Sequence, residues 1–462
     1  MAGEDPISPP IESRADLIEA MARGARPKSE WRVGTEHEKH VFHTDPIRPV
    51  RYEGEQGIGK LLEGLAAETG WTPFFDGDNP IGLRNDLSAG GISLEPGGQF
   101  ELSGAPLETA HETADEYEAH MAASKKIAAP LDIHFLGLGT TPLWAVRDIP
   151  VMPKSRYAIM APYMDKVGTL GTSMMFRSCT VQANLDFGSE ADMVDKLRVS
   201  LKLQPIVTAL FASSPFIDGK DSGYQSFRAQ IWRNTDADRT GLLPFVFEDG
   251  FGFERYADYA LDVPMYFVIR DKRYVNVAGQ SFRDFLDGNL PGLPGEKPTI
   301  KDWEDHLSTL FPEVRLKQFL EMRGADMGLG FSVPALAALW VGLLYDETAL
   351  SAALDMVADW DAETMAALRA SIPVTALDTP WPGEDRLRYG LVRDAAREMV
   401  GIASAGLARR NRLNAKGEDE SIHLAPLETM INAGDTQAEH WVKLWRGEWQ
   451  GDLTRIFAAA EL

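Results

Sequence analysis

The most regular alternation in the chain runs through SCTVQANLDF. Cys179, Val181, Ala183, Leu185 and Phe187 are apolar or small, and Ser178, Thr180, Gln182, Asn184 and Asp186 between them are polar. Side chains two apart in a strand share a face, so this segment predicts a strand with one apolar and one wholly polar face. Such a strand belongs in an antiparallel sheet covered on one side, its other face left to solvent or ligand. WRVGTEHEKHVF, DIHFLGLGTTP and KQFLEMRGAD read as further strands, and GGISLEPGGQFELSG as two strand pieces joined by a Gly pair. VPMYFVIRDKRYVNVAG reads as a hairpin turning at Asp271 and Lys272.

Helical periodicity takes over elsewhere. IESRADLIEAMARGA has Ser13 as its N-cap, and GIGKLLEGLAAETG closes at Gly70. HETADEYEAHMAASKKIAAPL carries acids early and Lys125 and Lys126 late, as the helix dipole prefers. From Pro334 onward the pattern is almost wholly helical and includes the amphipathic run DRLRYGLVRDAAREMVGIASAGLARRN. The expectation is an α+β fold in one domain spanning residues 1–462. A sheet occupies about residues 30–330, with helices on its apolar face and a helical region over about 331–462.

The polar faces carry the candidate chemistry. Glu36 and Glu38, Gln99 and Glu101, and Glu321 and Arg323 are pairs spaced two apart on three predicted strands. Carboxylates gathered on one sheet face repel one another unless hard cations lie between them, and oxygen-only clusters suit Mg²⁺ or Mn²⁺. Mg²⁺ is commonly held by a few carboxylates together with substrate phosphates, so the pattern points to an enzyme that handles ATP. The bland alternative for each pair is a solvated face with surface ion pairs. Arginine recurs nearby at Arg156, Arg177, Arg228 and Arg239, and its planar fork suits carboxylates and phosphates. KVGTLGTSMM reads either as a loop approaching phosphates or as a turn before the strand.

Two short motifs are set aside. GEQGIGKL has P-loop spacing, but Leu61 stands where Ser or Thr is required and no buried strand precedes it; it reads as a turn capping a helix. HEKH has the wrong spacing for a helical zinc-protease motif.

Composition narrows the classes further. With 69 acidic residues against 46 Lys and Arg, the net charge is −23, which disfavours nucleic acid as a partner. The start MAGEDPISPPIESRADLIEA lacks a secretory pattern. FSVPALAALWVGLLY, from Phe331 to Tyr345, is shorter than the ~20 residues of a membrane helix and reads as a buried core helix. Cys179 is the single cysteine, so neither an intramolecular disulfide nor a cysteine-based zinc site can form. The expected compartment is the cytoplasm, with no membrane partner.

Several longer segments resemble glutamate–cysteine ligase, of the plant-type class shared with some bacteria. They are WRVGTEHEKHVF, SLEPGGQFELSG, MPKSRYAIM, GTSMMFRSCTVQANLDF, DADRTGLLPFVFEDGFGFERYADYALDVPMYF and RLKQFLEMRGAD, from about residue 30 to 330. WPGEDRL and HLAPLETMI are compatible but less diagnostic. The resemblance implies a glutamine-synthetase-like fold, a curved antiparallel sheet whose open polar face holds metal, ATP and amino acid. It also implies ATP-dependent joining of the γ-carboxylate of L-glutamate to the amine of L-cysteine through a γ-glutamyl phosphate, the first step of glutathione biosynthesis.

On that resemblance Glu36, Glu38, Glu95, Glu101, Gln182 and Glu321 are the expected metal ligands. Glu321 and Arg323 are the expected catalytic pair, with Arg323 also contacting nucleotide phosphate. Arg156 and Arg228 are expected to hold the glutamate carboxylates and Tyr266 to line the cysteine pocket. The implied cofactors are ATP and Mg²⁺, with Mn²⁺ as a substitute, and feedback inhibition by glutathione is a further expectation. Plant members carry disulfides that tune activity, a switch that a lone Cys179 rules out within one chain. Monomer and homodimer both stay open. So do two other readings: a ligase joining glutamate to another amine, and a metal-binding scaffold without turnover.

Overall fold

The computed structural model describes residues 8–383 and 388–462. Its centre is a ten-stranded antiparallel sheet. In chain order the strands are β1 (Val33–Thr44), β2 (Ile47–Pro49), β3 (Thr72–Asp76), β4 (Asn79–Arg84) and β5 (Gly91–Leu94). They continue as β6 (Phe100–Ser103), β7 (His134–Leu136), β8 (Thr180–Leu185), β9 (Val314–Leu316) and β10 (Leu320–Asp326). The main path runs β9-β10-β8-β1-β6-β5-β4-β3. β1 is long enough to serve two neighbourhoods: its first half lies between β8 and β6, and its second half pairs β7 and β2.

Register brings the sequence pairs together. Glu36 on β1 lies opposite Gln182 on β8, Glu38 opposite Glu101 on β6, and Asn184 on β8 opposite Glu321 on β10. Residues directly opposite in an antiparallel pair share a face, so these polar groups collect on one side of the sheet. On the other side Val181, Ala183 and Leu185 are fully buried. Helix Ser332–Leu344 covers β1 and β8 there, and helix Glu190–Leu210 covers β10. Every residue of helix Ser332–Leu344 except Pro334 is buried, as its unbroken apolar composition demands. Among the described residues no single helix is long and apolar enough to cross a membrane.

The expected elements are present with shifted bounds. The first helix is Arg14–Ala22, capped at Ser13, and helix Ile58–Thr69 ends at Gly70 with φ 73°. GEQGIGKL is the entrance to that helix: Gly57 is its N-cap, and Lys60 pairs with Glu63 at 2.8 Å. DIHFLGLGTTP contributes only the three residues of β7. The hairpin Phe267–Arg270/Arg273–Asn276 turns at Asp271 and Lys272, both with positive φ, but it pairs only with itself. Of the run from Asp385 to Asn411 the helix takes Val392–Arg410, and residues 385–387, like 1–7 and most of GEDRL, lie outside the described residues.

Two differences matter for the site. KVGTLGTSMM is a loop only over residues 168–170; its second half opens helix Gly171–Arg177, which stands between the loop and the strand. The polar face is roofed rather than open: helices Tyr157–Val167, Gly171–Arg177 and Phe227–Trp232 and the segment 308–311 cover it, leaving Thr180 and Gln182 each 4% exposed.

Candidate active site

Between the sheet and that roof is a cavity of about 410 Å³. Its wall includes Glu36, Glu38, Glu95, Glu101 and Gln182 from the sheet side, and Arg156, Arg228 and Arg323 around them. Eight of the ten expected site residues therefore meet in one place.

The carboxylates are held by neutral donors. Asn184 Nδ2 donates to Glu36 Oε1 at 2.9 Å, the Thr180 N–H to Glu38 Oε2 at 3.0 Å, and Ser103 Oγ to Glu101 Oε1 at 2.8 Å. Burial raises the Glu38 carboxyl well above its ordinary value, and Glu101 and Glu95 add to the rise. Burial, then Glu95 and Glu36, pushes Glu101 up to about 7. A buried group disfavours its own charge, and a like charge beside it does so again. This donor set of oxygens only, under mutual repulsion, fits a hard divalent cation. Among the described residues no three His, Cys, Asp or Glu side chains yet stand close enough together to hold one ion.

The arginines are fixed from outside the cavity. Arg156 is the N-cap of helix Tyr157–Val167, 3.5 Å from Glu95. Its neighbour Ser155 donates through N and Oγ to Asp76 on β3, at 2.7 and 2.8 Å. Arg228 is in the first turn of helix Phe227–Trp232 and donates to the Arg323 carbonyl at 3.0 Å. Beneath it, buried Asp326 accepts from Ser213 N, Ser214 Oγ and Ser226 Oγ. The Nε atoms of Arg156 and Arg228 are buried with no acceptor among the described residues. Each guanidinium already lies within 4.0 Å of a carboxylate, Glu95 for Arg156 and Asp326 for Arg228, and since an unmatched buried donor is costly each Nε has capacity for one further acceptor.

Glu321 is placed differently from expectation. It faces the ligand side in register, but it has no exposed area and is not on the cavity wall. Arg315 Nη2 holds it at 2.6 and 2.8 Å, Lys317 Nζ lies at 3.0 Å, and Arg323 forms a further short contact. Burial acts to raise its carboxyl, yet Arg315, Lys317 and Arg323 together hold it well below the usual carboxylate range. Arg323 itself donates to Gln182 Oε1 at 2.7 Å and so joins the two halves of the site.

Tyr266 is not on the wall either. It is 1% exposed, with the Arg239 guanidinium 3.9 Å from its ring centroid and Met164 Sδ 3.3 Å from its hydroxyl. Arg239 is buried through Asp236 and the carbonyls of Thr309 and Pro264.

Sequence reasoning passed over several wall residues. Lys154, 8% exposed, has its ammonium pulled down to about 8 by burial and Arg156, against Glu95 and Glu101. Its only signal was its place in MPKSRYAIM. Arg315 is directly opposite Glu321 across the tight β9–β10 turn, which RLKQFLEMR would have shown had its first three residues been read as a strand. Phe74, Trp232, Phe267 and Phe311 supply apolar wall, and no spacing rule in the sequence marks them.

The sheet and its roofed polar face define a protein of the glutamine-synthetase-like ligase fold. Its likeness to the crystal structure of glutamate–cysteine ligase from Francisella tularensis in complex with AMP has a TM-score of 0.54. The match covers 93% of this chain and 88% of that one at 12% identity, which speaks for the fold alone. Residues 32–459 match glutamate-cysteine ligase family 2 (GCS2), and the chain belongs to that family. It is 51% identical over 459 residues to the chloroplastic glutamate–cysteine ligase of Medicago truncatula, covering 97% of this chain and 87% of that protein. Those of Nicotiana tabacum and Arabidopsis thaliana are each 50% identical, with 97% of this chain and 85% of theirs covered. The cytoplasmic expectation is thereby corrected: these relatives are chloroplastic by name. The absence of a secretory pattern cannot separate the two compartments.

Proposed function

We propose that the chain joins L-glutamate to L-cysteine at the expense of ATP, giving γ-glutamylcysteine, ADP and phosphate, the first step of glutathione biosynthesis. The observation that carries this reading is the meeting of four carboxylates with Arg156, Arg228 and Arg323 in one roofed cavity, in a chain of this family. A γ-carboxylate oxygen of glutamate takes the terminal phosphoryl group of ATP, and ADP leaves. The cysteine amine then attacks the acyl carbon and loses a proton, and phosphate departs.

The residues divide the work. Arg156 and Arg228, each with a free buried Nε, grip the carboxylates of glutamate. Arg323 meets the charge that builds on the transferring phosphoryl group, without acting as an acid. Glu321, engaged by three cations, anchors Arg323 in that position. The roof excludes water that would hydrolyse the acyl phosphate. Glu36, Glu38, Glu95 and Glu101, with Gln182, would hold Mg²⁺, which when bound neutralises phosphate charge and aligns the donor with the carboxylate. We assign residues 1–462 to one catalytic domain, because helix Ser332–Leu344 is itself the cover of the catalytic strands.

The test is ADP release with ATP, Mg²⁺ and L-glutamate, with and without L-cysteine, and products identified by mass spectrometry. Cysteine-dependent ADP together with γ-glutamylcysteine is expected. ADP formed only with another amine would move the protein to a related ligase, and no ADP under any condition would leave a scaffold.

A further inference from the structure

A carboxylate at the edge of the sheet reaches the roof of the catalytic cavity. β3 ends the main path of strands, and Asp76 is its last residue, beside the tight turn in which Gly77 has φ 60°. Asp76 Oδ2 accepts both donors of Ser155, the backbone N–H at 2.7 Å and Oγ at 2.8 Å. Ser155 is 79 residues further along the chain and directly precedes Arg156, the N-cap of roof helix Tyr157–Val167. Tyr157 N and Ala158 N already bond the carbonyls of Lys154 and Ser155, at 3.1 and 3.2 Å. The turn thus begins at Lys154, and Ser155 N is one of the donors that a helix start cannot satisfy by itself. A carboxylate there also complements the positive end of the helix dipole.

Lys154 and Arg156, on either side of Ser155, are both on the cavity wall, and Asp76 is not. The Arg156 guanidinium has loose partners within the chain: Glu95 at 3.5 Å, the Tyr157 hydroxyl at 3.4 Å and the Tyr157 ring, its centroid 5.2 Å away. Its aim is therefore set by the backbone that carries it, and Asp76 holds that backbone through two short charge-assisted bonds. Arg228 is held in a comparable way. Its N–H donates to Ser214 Oγ at 3.1 Å, and Ser214 Oγ donates to Asp326 at 2.6 Å. The two supports differ in burial: Asp326 is 1% exposed, whereas Asp76 is half-buried and Ser155 exposed. A change at Asp76 thus reaches the aim of an arginine without opening the core.

We propose that Asp76 is a positioning residue for glutamate: by holding both donors of Ser155 it aims Arg156, and so sets the affinity for the amino acid without touching it. The inference rests on the reading of Arg156 as a grip on a glutamate carboxylate. A grip that persists unchanged from ground state to transition state lowers KM and leaves kcat alone. Loss of the support at Asp76 therefore falls on KM for glutamate, and neither the nucleotide nor the chemical step depends on it.

The test is steady-state ADP release by the full chain, with glutamate, cysteine and ATP varied in turn. Asp76→Ala is expected to raise the KM for glutamate about tenfold, with kcat and the KM for ATP within about twofold of the parent. Asp76→Asn keeps an oxygen acceptor in place and restores most of that loss, and Ser155→Ala, which keeps the backbone donor, raises the KM for glutamate by about threefold. With Arg156→Met already present, Asp76→Ala adds little, because a residue that acts through Arg156 has nothing left to aim. An unchanged KM for glutamate in Asp76→Ala, KM values for glutamate and ATP that rise together, or full additivity with Arg156→Met overturns the proposal. A parent protein that releases no glutamate-dependent ADP overturns the assigned reaction and this inference with it. A parent that releases it, matched by Asp76→Ala, overturns this inference alone.

Discussion

The β1–β6 half of the catalytic cavity and the β9–β10 half both bury carboxylates and treat them in opposite ways. Glu38 and Glu101 lie side by side with neutral donors, and their carboxyls are raised; Glu321 lies among three cations, and its carboxyl is lowered. Burial alone penalises all three, so the neighbours decide the sign. The β9–β10 half sets three cations of the chain around one carboxylate and so makes no demand for a cation from outside. The β1–β6 half is left unbalanced, which destabilises the empty protein and creates the demand that a cation from outside can meet.

The largest expected effect tests the cation-rich half. Glu321→Gln leaves Arg315, Lys317 and Arg323 around a neutral amide, and chemical denaturation should show a loss of about 3–5 kcal/mol. Glu38→Gln removes a repelled charge and should leave the metal-free protein equally or more stable, while ADP release falls by at least about 100-fold. Equal destabilisation in both variants would end the distinction between the halves. Arg323→Met should lower kcat by about 10²- to 10³-fold with little change in the KM for glutamate, as expected for a group that acts on transition-state charge.

Acidity separates the halves by slope. Glu101, raised from 4.5 to about 7, holds a proton in the folded state that the unfolded chain has already released. Its contribution to stability therefore declines as pH rises through that window, on the order of 3 kcal/mol in metal-free protein. Glu321, lowered, contributes stability that is present above the ordinary carboxylate value of 4.5 and lost as pH falls below it. Thermal melts from pH 4.5 to 7.5 should show the first slope, and Glu101→Gln or added Mg²⁺ should flatten it; a slope unchanged in both would refute the account. The smallest effect belongs to Ser103→Ala, which removes the hydroxyl donor to Glu101 and should cost about 1 kcal/mol at neutral pH.

What the sequence revealed follows from which interactions are local. Alternation in SCTVQANLDF fixed the two faces of β8, and the i, i+2 pairs on β1 and β10 fell on the polar face because strand geometry leaves no other choice. The β3–β4 hairpin escaped, since TPFFDGDNPIGLR interrupts its apolar positions with Pro and Gly, as an edge strand tolerates. Glu321 shows the deeper limit. Its strand and face were legible, but its partners Arg315 and Lys317 depend on the turn and register of a neighbouring strand. Tyr266 shows the same limit, since only the packing of Arg239 against its ring reveals that it points into the core.

Cys179 has no exposed area, and burial pushes its thiol well up. Disulfide exchange needs an accessible thiolate to attack a disulfide sulfur. A protein whose substrate and product are both thiols thus presents them with no accessible thiol of its own. It accumulates no mixed-disulfide adducts with the molecules it handles, and oxidised stocks of cysteine or product leave its covalent structure untouched.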